Sequence, residues 1–206
     1  MHNCILRIEL LRVCRPFVAF CNRMFPRVWG ALANWPVLGM HFELEKLSEQ
    51  LGARLLERGE WLVTAESCTG GWVAQTVTAI AGSSAWFDRG FVTYSNAAKS
   101  DMLGVPETTL ARHGAVSEAT ARAMALGALE HSRGDWSLAI TGIAGPSGGT
   151  PDKPVGTVCF AWAWRVGGCE AQTCHFPGGR AEVRAQSVQH ALLGLLARLQ
   201  DATSIA

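Results

Sequence analysis

Two short apolar runs, WLVTAE at 61–66 and WSLAIT at 136–141, each stop at a glycine-rich turn, and the stretch between them is dominated by helical rather than alternating periodicity. No other feature of the chain constrains its fold as strongly. Apolar runs of this length bounded by turn signals read as buried strands, the kind a sheet carries when helices cover it. A third run, FDRGFVTYS at 87–95, reads as a further strand, parallel to the first because a helix crosses between them. In such βα units the turns gather at the C-terminal edge of the sheet, where α/β proteins hold their ligands. ESCTGG (66–71) and TGIAGPSGG (141–149) then face one another across one cleft.

The remaining pattern fills in the layers. FELEKLSEQLGARLLERGE places Phe42, Leu44, Leu47, Leu51, Leu55 and Leu56 at helical spacing, with Gly59 as a stop. A second stripe, Trp72, Val73, Val77 and Ile80, follows the ESCTGG turn and closes at Gly82. Short helices are expected over NAAKSDMLGV and ETTLARHG, and a longer one over 117–133 with Ser117 as its N-cap. After the Gly/Pro-rich loop 142–154, VGTVCFAWAWRV and CEAQTCHF alternate around Gly167-Gly168 as a β-hairpin, and residues 179–200 form a long amphipathic helix. The expected class is α/β, a mixed sheet between helical layers.

The first 39 residues stand apart. They hold five arginines (7, 12, 15, 23 and 27) against one acid, Glu9, whereas the rest of the chain is net negative. Arginines interrupt the apolar residues too often for a transmembrane span, and no clean signal-peptide core is present. Residues 1–39 are expected to be an N-terminal extension or a start-site artefact, outside the chemistry, and residues 40–206 the functional domain. The overall balance, net charge +1 with 49% apolar and 17% charged residues, allows a sizeable core and gives no reason to expect nucleic-acid or membrane partners. Seven cysteines without regular spacing read as reduced thiols of a cytoplasmic protein. Cys169, Cys174 and His175 lack zinc-site spacing, and no metal is expected.

Topology brings Ser67, at the end of the first strand, and Lys99, one short turn beyond the third run, to the same sheet edge. A serine needs a base to take its proton, and Lys99, His113 and Glu66 are the candidates. Lysine serves if burial lowers its pKa, whereas a nearby Glu66 carboxylate would hold the ammonium charged. Tyr94 can relay or orient, and the backbone amides of Thr69, Gly70 and Gly71 open a helix and can face an oxyanion or a phosphate. Plainer uses stand beside each of these. Ser67 or Thr69 more commonly caps the helix, Cys68 is more often packing than a nucleophile, and Lys99 and Arg180 are more often surface charges. The chain lacks the phosphate-loop pattern and the G-x-S-x-G elbow.

Together, TAESCTGGWVA, IAGSSAWFDRGFVTYSNAAKSDMLGV, HGAVSEATA, ITGIAGPSGG, KPVGTVCFA and GGRAEVR resemble the CinA C-terminal domain family, the bacterial nicotinamide-nucleotide amidohydrolases, from about residue 43 to 200. The resemblance implies a three-layer α/β/α sandwich with a mixed, mostly parallel sheet, usually in a homodimer, and a stand-alone form without the domain that precedes this one in longer relatives. It implies hydrolysis of nicotinamide mononucleotide to nicotinate mononucleotide and ammonia, by a serine and a lysine, with no cofactor or metal. On this chain those residues are Ser67 and Lys99, with Tyr94 and Asn96 in the same motif as the lysine, Thr141 and Gly142 in the T-G-I-A-G-P motif, and Arg180 as the late arginine. The expected substrate contacts are Glu66, Cys68, Thr69, Gly70, Gly71, Asn96, Thr141, Gly142 and Arg180. Two other readings stand: a catalytically silent nucleotide- or partner-binding module linked to competence or DNA damage, and an amidase for a different amide.

Overall fold

A computed structural model describes residues 36–201, with side chains described from Glu43 to Gln200. Nearly all of this belongs to a compact unit that begins at Glu43. The expectations for residues 1–35 lie outside the described residues.

The elements follow the βα rhythm of the sequence. They are α1 (Pro36–Arg58), β1 (Leu62–Glu66), α2 (Trp72–Thr78), a 3-10 turn (Ser83–Ala85), β2 (Phe87–Val92) and α3 (Asn96–Leu103). α4 (Glu107–His113), α5 (Glu118–Glu130), β3 (Trp136–Gly142), β4 (Thr157–Trp164), β5 (Gly168–His175) and α6 (Arg180–Asp201) complete the series. α1 begins six residues before the expected Phe42, at Pro36, where a missing N–H costs a helix nothing. Its buried stripe is Leu44, Leu51 and Leu55, with Ser48 in line, while Leu56, assigned to that stripe from spacing, is exposed. α2 stops at Thr78, so Ile80 of the expected stripe falls outside it. β2 ends at Val92 rather than residue 95, because Ser95 turns to cap α3, its Oγ accepting from the Ala98 amide. Ser117 caps α5 as expected, accepting from the Thr120 amide.

The strand order is β2-β1-β3-β4-β5. β1 pairs in parallel with both β2 and β3, β4 runs antiparallel to β3, and β5 antiparallel to β4. Four of these five strands therefore point the same way, and the mixed, mostly parallel sheet is what the pattern of crossovers and one hairpin requires.

Alternate residues divide the sheet into two unlike faces. One face presents Val63, Ala65, Ala139, Cys159, Ala161 and Ala163, and small side chains there let α5 lie close, through Ala121, Met124, Ala125 and Ala128. The close approach continues outward: a Cβ on Gly127 of α5 would overlap the Leu103 carbonyl at the end of α3. The other face carries Phe160 and Trp162, whose indole N–H donates to the Ala191 carbonyl of α6 at 2.9 Å. α2 packs on β1, β2 and α6. Helices thus cover both faces.

This topology creates one special place. The chain leaves β1 by α2 to reach β2 on one side, then returns by α3, α4 and α5 to β3 on the other side. The crevice beyond the C-terminal ends of β1 and β3 is the switch point at which open α/β sheets take their ligands.

Candidate active site

Ser67 is the first residue past β1, and its amide still donates to the Ile140 carbonyl of β3 at 2.9 Å. On the other side the Thr93 amide donates to the Glu66 carbonyl at 2.8 Å. Ladder bonds from both neighbours therefore hold the turn at a fixed height above the sheet. Two glycines then reverse the chain, Gly70 at φ 62° and Gly71 at φ 91°, in the left-handed region where a side chain is strained.

The helix after the turn is not capped by Ser67 or Thr69. Its N-cap position is Gly71, and the cap comes from Glu66. One Glu66 carboxylate oxygen accepts from the Gly71 and Val73 amides, both at 3.0 Å, and the other from Ala74 at 2.9 Å. Glu66 is fully buried on the α2 side and opposes the N-terminal dipole of that helix. The expectation that Glu66 would hold Lys99 charged fails for this reason: the carboxylate is committed to α2.

Capping by Glu66 leaves the Ser67 hydroxyl to other work. Lys99 Nζ lies 3.1 Å from Ser67 Oγ and donates to the Thr93 carbonyl at 2.9 Å. Lys99 sits on the first turn and a half of α3, is 1% exposed, and has no carboxylate among the groups that act on it. Burial pushes its pKa below the ordinary lysine value, and the Cys68 thiolate form would oppose that. A neutral amine accepts where an ammonium donates, so the same 3.1 Å contact can run from the serine hydroxyl to the amine. Cys68, the alternative nucleophile, is buried, and its thiol is pushed up to about 12, so it stays protonated near neutrality. His113 is exposed at the end of α4, where its carbonyl accepts from Lys153, and it takes no part in the cavity.

A cavity of about 290 Å³ opens above this pair. Ser67, Cys68, Lys99 and Thr141 line its depth, and Tyr94, 62% exposed, stands at its mouth with Asn96, Arg180 and the loop residues Gly142, Gly145, Ser147 and Gly148. Arg180 donates to the Tyr94 hydroxyl at 2.8 Å and to the Gly145 carbonyl at 3.0 Å, bridging the two rims. Thr141 donates to the Ala115 carbonyl at 2.7 Å, and Lys153 to those of His113 and Val116, which fixes the remaining wall. The lining contains the Arg180 guanidinium and no carboxylate, so it favours a ligand with an anionic part.

Eight of the residues singled out from the sequence share this lining: Ser67, Cys68, Tyr94, Asn96, Lys99, Thr141, Gly142 and Arg180. Glu66, Thr69, Gly70 and Gly71 lie outside it. The Gly70 amide donates to the Ser67 carbonyl and the Gly71 amide to Glu66, so these two do not face a ligand. Spacing alone did not single out Lys153 or Arg184. Arg184 donates to the Cys68 and Thr69 carbonyls from one turn beyond Arg180, and only the i, i+4 repeat of arginine in GGRAEVR hinted at a shared face.

Among the described residues there is no cluster of three metal-binding side chains, and no helix long and apolar enough to cross a membrane.

The fold and site define an α/β sandwich with a buried serine–lysine pair at its switch point. A profile of the CinA C-terminal domain matches residues 44–199, and the chain belongs to that family. Nicotinamide-nucleotide amidohydrolase PncC of Escherichia coli K12 is 58% identical over 151 residues, 73% of this chain and 91% of that protein. A putative competence-damage inducible protein of Symbiobacterium thermophilum is 54% identical over 156 residues, 72% of this chain but 37% of its own length. The crystal structure of competence/damage inducible protein CihA from Agrobacterium tumefaciens matches with a TM-score of 0.74 at 48% identity, over 76% of this chain and 95% of that one.

Proposed function

We propose that this chain hydrolyses the carboxamide of nicotinamide mononucleotide to nicotinate mononucleotide and ammonia, with Ser67 as nucleophile and Lys99 as general base. The observation that carries the reading is the 3.1 Å contact between Ser67 Oγ and a buried Lys99 Nζ at the bottom of the cavity. The similarity to the Escherichia coli amidohydrolase names the amide.

In this reading the hydroxyl adds to the carboxamide carbon while its proton passes to the Lys99 amine. The tetrahedral oxyanion collapses, the C–N bond breaks, and the leaving nitrogen takes the proton back from Lys99 as ammonia departs. Water then adds to the Ser67 ester, again through Lys99, and releases the carboxylate product. Of the three amides expected to face the oxyanion, those of Gly70 and Gly71 are bonded within the turn and Thr69 is fully buried outside the lining, so none of the three serves as its donor. Arg180 and the 142–149 loop are the candidates for the phosphate, with a planar guanidinium suited to two of its oxygens. Tyr94 orients Arg180 at the mouth.

A silent binding module needs no lysine buried against a serine, and that pairing favours turnover. The resemblance also implies a homodimer, and the four described cysteines, Cys68, Cys159, Cys169 and Cys174, are free thiols that suit a reducing cytoplasm. The deciding measurement is ammonia release from nicotinamide mononucleotide by the purified chain, with nicotinamide, its riboside and glutamine as competitors. No release from the mononucleotide, with release from another of these amides, would reassign the substrate. No release from any would leave the chain a binding module.

A further inference from the structure

The first two turns of α6 reach into the site twice. Arg180 goes to the cavity mouth, whereas Arg184, four residues on and on the same face, goes to the turn that carries Ser67. Arg184 Nε donates to the Cys68 carbonyl at 3.1 Å and its Nη2 to the Thr69 carbonyl at 2.7 Å. The guanidinium also lies beside the Trp72 ring, 5.3 Å from its centroid, and a Cβ on Gly70 would stand 3.7 Å from its Nη2. It does not line the cavity.

A planar fork that holds two successive carbonyls fixes two successive peptide planes. The turn has particular need of this. Two glycines with left-handed φ follow at once, and glycine brings the widest choice of alternative backbone states. The Thr69 hydroxyl is buried without a partner and contributes no restraint.

We propose that Arg184 is a positioning residue for the reaction, a clamp that sets the Ser67 turn so that Oγ stays within hydrogen-bond reach of Lys99. It touches neither substrate nor reacting atoms. The proposal rests on the serine–lysine reading, and its effect belongs to the chemical step rather than to binding.

The test compares wild type, Arg184→Ala and Arg184→Lys in two assays. The first is steady-state ammonia release from nicotinamide mononucleotide. The second is the rate at which an alkyl fluorophosphonate labels Ser67, a step in which Oγ bonds to phosphorus, fluoride leaves and Lys99 takes the proton; this arm needs no natural substrate. A misplaced nucleophile costs about 10²-fold. Arg184→Ala is expected to lose about that factor in kcat and in labelling rate, with KM held within about threefold. Millimolar guanidinium chloride should restore part of both rates, and Arg184→Lys, which keeps one carbonyl contact, should fall between. Restoration by a denaturing cation is an outcome that general destabilisation cannot produce. Full kcat in Arg184→Ala would overturn the proposal. So would a rise in KM alone, which would make Arg184 a substrate contact, or a loss that tracks the melting temperature and responds to neither guanidinium nor lysine. If wild type releases no ammonia, the substrate assignment fails, and the labelling rates of the three proteins still decide whether Arg184 positions Ser67.

Discussion

At the scale of single residues, Lys99 carries the most consequence. Its amine is buried beside a hydroxyl and a carbonyl, with no anion to hold a charge, and its pKa lies below the ordinary value of ~10.4. The proposed mechanism needs the neutral amine. kcat/KM should therefore rise with pH through the lowered pKa and level off above it, which a pH–rate profile measures. Lys99→Arg should lose ~10³-fold or more, because a guanidinium does not give up its proton in a protein, and Ser67→Ala should fall as far. Stability should answer with the opposite sign. A lysine whose folded pKa is depressed binds fewer protons folded than unfolded, so stability grows as pH rises from the folded pKa to about 10.4 and is lowest below that window. Lys99→Met, inactive, should melt above wild type at neutral pH, by about 2–4 °C if the gain is about 1 kcal/mol. Differential scanning calorimetry at two pH values checks both statements.

Among the elements, α2 depends on a residue that belongs to β1. Seven residues are too few for a stable helix in isolation, and three of its N-terminal amides are satisfied by the Glu66 carboxylate alone. Glu66→Ala should cost about 3 kcal/mol, since it leaves buried amides without acceptors. It should also disorder the turn that follows Ser67, so that activity disappears at temperatures where the far-ultraviolet circular dichroism is still native. The α3–α5 crossing is the second sensitive joint. Gly127→Ala would push the Leu103 carbonyl, at the end of the helix that bears Lys99, and should reduce kcat as well as melting temperature. Neither role is visible in a periodicity plot. The ESCTGG motif offers two local capping side chains, Ser67 and Thr69, which local rules favour. The carboxylate prevails because β1 aims alternate side chains to opposite faces, and Glu66 falls on the face where α2 packs.

For the whole molecule, the proposed homodimer is checked by light scattering of the purified chain, expected at twice the mass of one chain. A monomer with full activity would show that each subunit holds a complete site. The sheet class was legible in outline; its strand order was not. Buried apolar runs, helical stripes and one Gly-Gly hairpin dictate an α/β sheet with its loops at one edge, because side-chain period and strand burial are local properties that a sequence carries openly. The meeting of Ser67 and Lys99 at one edge was legible too, since parallel crossovers leave little choice of side. What the sequence could not decide was which of several plausible groups would touch. Whether Ser67, Thr69 or neither caps α2, whether Lys99 or His113 lies beside Ser67, and where Arg184 reaches all turn on side-chain direction once the elements pack. Those choices depend on burial and on which hydrogen bonds remain unmet once the layers close. Only the packed tertiary structure sets them, because desolvation, the force that lowers the Lys99 pKa and commits Glu66 to α2, exists only when the sheet and its helices are together.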